Sequence, residues 1–318
     1  MKKLIAPLTA VFFIGCMVHS QPAALKVKIV LPKELKEISG MVAAGKDVWA
    51  ITDKPKANIY KLDTLGNLVE EVNIKNVEAT DVEAVTADEN NLYVGDVGDN
   101  NGDREERKIF KLAKANIPAG KKAEVTGEVI SFTFPNEVAV ENKKLNNYDC
   151  ESLLSYKDSL YVFTKDREDK ETRLFAVPKV PGTYTAPFID SFNSKGLVTD
   201  AAINQSDNEV ALIGYRKGHH FPFIILFKDF NGSDFFSGKH KRLELADKDW
   251  DWQLESITYN KANMLYFSCE GTKEVPATFY GINRDKIMML DKKNDHNKEK
   301  PAKEKDNAHM STKGHLKL

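Results

Sequence analysis

The chain has 318 residues, a formal net charge of −1 and 29% charged residues. Near-neutrality excludes a nucleic-acid binder that works through bulk charge. A hydrophobic content of 42% excludes general disorder and is enough for a full core, in one large β domain or two ordinary ones.

The first stretch carries the marks of a targeting segment. Lys2 and Lys3 precede an apolar run from Leu4 to Val18, and Val18-His19-Ser20 before Gln21-Pro22 fits a signal-peptidase site. Residues 1–20 are therefore expected to direct export and be removed, giving a periplasmic or secreted protein. Gly15-Cys16 offers the alternative of a lipobox, with lipid anchoring through Cys16. No other run is long enough to cross a bilayer.

Residues 25–290 show strand and turn signals throughout. Short β-prone runs alternate with Gly, Asn, Asp and Pro clusters, and helical periodicity is nearly absent. One block recurs five times: a polar or acidic residue, a few apolar ones, a turn, then a β-prone run ending in polar or charged residues. The copies begin at Glu37-Ile38-Ser39-Gly40, Asp81-Val82-Glu83-Ala84, Asp149-Cys150-Glu151-Ser152, Thr199-Asp200-Ala201-Ala202 and Leu254-Glu255-Ser256-Ile257. Two further strands follow each copy. Beyond them, residues 291–318 are dominated by Lys, Asp, Glu, Asn and His and are expected to be a disordered charged tail.

Taking Ser39, Glu83, Glu151, Thr199 and Glu255 as equivalent points, the gaps are 44, 68, 48 and 56 residues. Such periods with four strands each indicate propeller blades. Ten residues separate the first three points from Trp49, Tyr93 and Tyr161 in the next strand. The last two lie 12 and 11 residues before Ala211 and Tyr266. An all-β, five-bladed β-propeller over residues 21–290 is expected, with a six-bladed ring as the alternative. The early strand Leu25 to Leu31 can pair into the last blade and close the ring, which removes open sheet edges.

In a propeller the first strand of each blade lines the central channel. The five points then form one ring, and the ends of the second strands surround the same mouth: Asp53, Asp96, Lys165 with Asp166, Arg216 and Glu270. Three carboxylates converging on a narrow channel repel one another by a few kcal/mol per pair, on the order expected at 4–6 Å and an effective dielectric of ~20. They must take up protons or surround a cation. Three carboxylates and two hydroxyls are hard oxygen donors, which suits Ca²⁺.

The phrases Glu37-Ile38-Ser39-Gly40, Val48 to Asp53 with Ile59-Tyr60, Glu83 before Leu92-Tyr93-Val94-Gly95, Glu151-Ser152, Thr199-Asp200 and Leu254-Glu255-Ser256 resemble the calcium-activated nucleotidases, or apyrases. That resemblance implies a five-bladed propeller with one Ca²⁺ in its channel, held by a serine or glutamate from each blade. It carries over to Ser39, Glu83, Glu151, Thr199 and Glu255, with Thr199 in place of a serine. Leu35 to Met41 and the Asp-Val-Glu-Ala phrase also resemble the SdiA-regulated and phytase-esterase-like propellers of bacterial envelopes.

Other features surround the same mouth. The loop Asp96 to Arg104 is either a long Asn- and Gly-rich turn or a ligand-contacting segment in which Asp96, Asp99 and Arg104 face a ligand or catalytic water. Lys165, Arg167, Arg216 and His219 could form a basic wall suited to an anion. Trp252 either packs between blades or stacks on a ligand. Cys150 and Cys269 lie in non-adjacent copies and are expected to be free thiols. No serine-nucleophile elbow, phosphate loop or dinucleotide fingerprint occurs.

Two functions compete on these residues. In one, an exported calcium-binding monomer binds a small anionic ligand or an envelope partner at the mouth. In the other, Ca²⁺ polarises a phosphate ester and water attacks, with Asp96 as base.

Overall fold

The computed structural model describes residues 25–285, apart from 46, 55, 64, 136, 138–141, 143–144, 217, 219–220, 246–252 and 261–263. The expected targeting segment and charged tail, residues 286–290, His219 and Trp252 lie outside the described residues.

Five antiparallel-cored sheets form a ring, as a five-bladed β-propeller. Blade one runs from the axis outward as β2 (Ile38–Ala44), β3 (Asp47–Thr52), β4 (Asn58–Leu62) and β5 (Leu68–Lys75). Blade two is β6 (Val82–Ala87), β7 (Asn91–Asp96), β8 (Arg107–Ala113) and β10 (Glu128–Thr133). Blade three is β11 (Cys150–Tyr156), β12 (Ser159–Thr164), β13 (Thr172–Pro178) and β15 (Phe188–Phe192). Blade four is β16 (Leu197–Asn204), β17 (Glu209–Tyr215), β18 (Phe223–Lys228) and β19 (Lys239–Glu244). Blade five is β20 (Leu254–Tyr259), β21 (Met264–Cys269), β22 (Thr278–Asn283) and, at its rim, β1 (Leu25–Val30). The ring closes as expected: β1 pairs antiparallel with β22, from Leu25 opposite Ile282 to Val30 opposite Thr278.

Both faces of each blade are buried, so the second strands read as continuous apolar runs. In β17, every residue from Glu209 to Tyr215 is buried. Strand alternation sends Ala211 and Ile213 into the layer against blade five, and Val210 and Leu212 into the layer against blade three. Five such apolar layers fill the five gaps between blades. Polar stitches join neighbouring inner strands: Ser155 N donates to Thr86 Oγ1 at 3.1 Å, and Ala43 N to Thr258 Oγ1 at 2.9 Å. Cys150 and Cys269 are both buried and free.

Two rim strands go beyond the expected four per blade. β9 (Lys122–Thr126) adds in parallel to β5, although it leads directly into blade two. β14 (Gly182–Thr185) adds in parallel to β10 from within blade three. Each covers a sheet edge and straps one blade to the next.

Candidate functional site

All five ring positions occupy the same local irregularity. Pairing between first and second strands slips between Ile38 and Gly40, Val82 and Ala84, Cys150 and Ser152, Val198 and Asp200, and Leu254 and Ser256. The residue left unpaired is Ser39, Glu83, Glu151, Thr199 or Glu255. A bulge bends its strand and re-aims the extra side chain, and here it does so once per blade. The two hydroxyls stitch neighbouring blades: Ser39 Oγ donates to Val82 O at 3.0 Å and Thr199 Oγ1 to Leu254 O at 2.6 Å. The three carboxylates line one cavity of about 230 Å³.

The residue just past the second strand forms the next tier. Asp53 N donates to Glu37 O at 3.0 Å, Lys165 N to Asp149 O at 2.6 Å and Glu270 N to Gln253 O at 3.0 Å. Each acceptor lies two residues before a ring position, so these three side chains are equivalent. By register, the matching positions in blades two and four are Val97 and Tyr215. Asp53, Lys165, Tyr215 and Glu270 all line the cavity; Val97 is apolar and fully buried against blade three. Asp96 and Arg216 stand one residue away and are not brought to the cavity. A slip of one residue exchanges the two faces of a strand, which is why the expected rim was only partly right.

Lys165 dominates the cavity. It is 5% exposed, its Nζ contacts both oxygens of Glu151, and it lies 5.3 Å from the Tyr215 ring centroid. Burial pulls its ammonium toward the neutral amine, but Glu151, Tyr215 and Glu255 outweigh that and hold its pKa well above the ordinary lysine value. Arg167 sits at the rim; its Nε donates to Asp149 Oδ2 at 3.0 Å, and its Nη2 to Asn100 Oδ1.

The acids outnumber these cations. Burial pushes Glu83 well above the ordinary carboxyl range, and Glu151, Asp81 and Asp53 push it further. Burial also raises Glu255 to about 7, with Glu270 adding repulsion against the pull of Lys165. Glu270 rises to about 7 through burial and then Asp53 and Glu151. Asp53 and Asp81 rise too, first by burial. Carboxylate oxygens of Asp53, Asp81 and Glu83 all lie within 4.8 Å of one another.

The loop residues named as catalytic hold the loop and tie it to the strands beside it. Asp96 is fully buried; its Oδ1 accepts from Thr80 N at 3.0 Å and Asp81 N at 2.8 Å, and its Oδ2 pairs with Arg104 at 2.7 Å. Arg104 also donates to Gly98 O and Glu106 O. Asp99 Oδ1 accepts from Gly102 N at 2.9 Å and Asp103 N at 3.1 Å, and its Oδ2 pairs with Arg107 at 3.0 Å. The fully buried Arg107, absent from the expected residues, also grips Glu137 at 2.5 and 2.6 Å and lies 4.9 Å from the Phe134 ring centroid. Arg216 is exposed outside the cavity and pairs with Glu244 at 2.5 Å. The basic wall is therefore Lys165 and Arg167 among the described residues.

No family model matches this chain, and no curated protein matches its sequence. Its likenesses are to solved structures. An exo-β-1,3-galactanase from Phanerochaete chrysosporium, solved with galactose, is 11% identical with a TM-score of 0.50, over 76% of this chain and 59% of that one. Hydrazine synthase from Kuenenia stuttgartiensis is 11% identical with a TM-score of 0.46, over 82% and 80% of the two chains. The Cps50 (Swd1) β-propeller domain of Myceliophteria thermophila is 12% identical with a TM-score of 0.36, over 77% and 83%. At such identities the likeness is one of fold. This chain is a β-propeller.

Proposed function

We propose that this chain is an exported calcium-binding β-propeller that binds a small anionic ligand, or an anionic group of an envelope partner, at its channel mouth. The observation that carries the reading is the charge imbalance of the cavity. Among the described residues, Asp53, Glu83, Glu151, Glu255 and Glu270 face only Lys165 and Arg167, and Arg167 is already held by Asp149. The described carboxylates are hard oxygen donors, the set that suits Ca²⁺. With Ca²⁺ in place, Arg167 and the ion together offer positive charge to an anion at the rim. The N-terminal apolar run supports export, to a compartment that can supply Ca²⁺.

The phosphoester-hydrolase alternative draws on the same ion but loses its base. Asp96 has one oxygen engaged by the backbone entering blade two and the other by Arg104 of its loop, and Asp99 is bound up with Arg107. The binding reading is therefore preferred.

Calcium titration by calorimetry, together with thermal melts in calcium and in chelator, tests the proposal. The expected result is saturable heat and a higher melting temperature in calcium. No heat and identical melts would refute it. Release of phosphate from nucleotides or phosphosugars that stops in chelator would restore the hydrolase.

A further inference from the structure

We propose that the cation sits off the propeller axis, at the junction of blades one and two, in a site formed by Asp53, Asp81 and Glu83. Lys165 then occupies the axial region as a built-in counter-ion. The inference rests on the calcium reading above and changes where the ion is held.

The spacing fits one ion. Oxygens bound about 2.4 Å from a shared Ca²⁺ can stand at most ~4.8 Å apart, and the three carboxylates offer oxygens within 4.8 Å of one another. Glu83 is 6% exposed and faces the cavity, yet no described N–H or O–H group donates to its carboxylate. Its neighbours are the carboxyl groups of Asp81 and Asp53, whose oxygens lie within 4.8 Å of its own and of each other. Carboxyl groups in mutual contact need a proton or a metal between them.

The surrounding loop leaves the cluster just enough room. A Cβ on Gly98 would collide with Asp81 Oδ2 and come within 2.7 Å of Glu83 Cγ. Asn100 lies over the same spot, with Nδ2 3.3 Å from Asp81 Oδ2. Asp53 and Glu83 line the axial cavity, while Asp81 lines a separate groove of about 470 Å³ beside it. An ion here is reachable from both.

The axial position offers less. Glu151 is already held through both oxygens by Lys165, and that ammonium lies beside the Tyr215 ring. A divalent ion on the axis would have to displace a buried positive charge. An ion at the junction of blades one and two leaves the Lys165–Glu151 pair intact.

Calorimetric titration of wild type, Asp81→Asn, Asp53→Asn and Glu255→Gln with calcium alone decides the matter. Asp81 and Asp53 lie outside the ring, and the exposed Asp53 gives a second variant that folds if Asp81→Asn does not. The junction site predicts that either Asp→Asn change weakens calcium binding at least tenfold more than Glu255→Gln does, the order seen when metal-site groups are removed. An equal or greater loss in Glu255→Gln overturns the off-axis placement while calcium binding itself stands. Absence of calcium binding in wild type overturns both.

Discussion

Replacing Lys165 with methionine isolates the counter-ion from the shape it fills. Methionine keeps most of the volume beside Tyr215 but leaves Glu151 without the ammonium that contacts both its oxygens. Removing one partner of a buried ion pair costs about 3–5 kcal/mol. For a domain of this size, a kcal/mol lowers the melting temperature by roughly 2–4 °C, so a drop on the order of 10 °C is expected. The deficit must depend on pH. Burial holds Glu151 at about 8 even against Lys165, and losing the lysine raises it further. A carboxyl whose folded pKa is raised does not burden folding below its unfolded value, and burdens it fully once pH passes the folded value. Because wild-type Glu151 itself ionises only near pH 8, the part of the gap due to this carboxyl should be smallest at pH 7 and wider at pH 9.5, where the variant's carboxyl still holds its proton. Urea melts in chelator at both pH values measure it. An equal gap at pH 7 and pH 9.5 would refute the view of Lys165 as the counter-ion of this mouth.

Three further changes test other parts of the structure. Gly98→Ala should weaken calcium binding, because the added methyl displaces Asp81 and Glu83; unchanged calorimetric affinity would show that the loop does not shape the site. Arg107→Met strips the buried cation from Asp99 and Glu137, so urea melts should show a loss of about 3–5 kcal/mol and the 97–106 loop should become protease-sensitive. Ile29→Pro removes a ladder donor opposite Phe279 and should lower the melting temperature and promote association through the bared β22 edge; a monomer as stable as wild type would mean that closure does not depend on β1.

The ring was legible because each bulge places a polar or acidic residue at the start of an otherwise apolar strand. Ser39, Glu83, Glu151, Thr199 and Glu255 stand out against such neighbours. The second tier was half legible. Asp53, Lys165 and Glu270 are expected at the mouth and line it, but charge alone points to Asp96 and Arg216 where register requires Val97 and Tyr215. The charged residue lies one position off, next to a valine and a tyrosine that carry no obvious chemistry. The spacing held the answer. Four residues beyond Trp49, Tyr93, Tyr161, Ala211 and Tyr266 lie Asp53, Val97, Lys165, Tyr215 and Glu270. Other features left no local signal. Arg107 looks like an ordinary alternating strand residue until the preceding loop folds Asp99 back onto it and Glu137 is brought in from beyond the next two strands. β9 and β14 are short and rather polar, and only an open rim elsewhere in the fold makes them strands.

The two tiers give a symmetric fold a sided mouth. Acids gather on consecutive blades: Glu255 and Glu270 on five, Asp53 on one, Asp81 and Glu83 on two. Positive charge comes from blade three, as Lys165 and Arg167, with Tyr215 beside it on blade four. A cation drawn to the acidic arc and an anion drawn to Arg167 would therefore meet across the cavity, each in the field of the other. Each side must also pass the rim residue Asn100, which donates to Asp81 on one side and accepts from Arg167 on the other. An anion that binds here should then bind more tightly with calcium present, and calcium more tightly with the anion, by the same factor. Measuring both couplings by calorimetry, with phosphate as the trial anion, is decisive: equal factors above one support a shared mouth, while a phosphate site indifferent to calcium would separate the two halves.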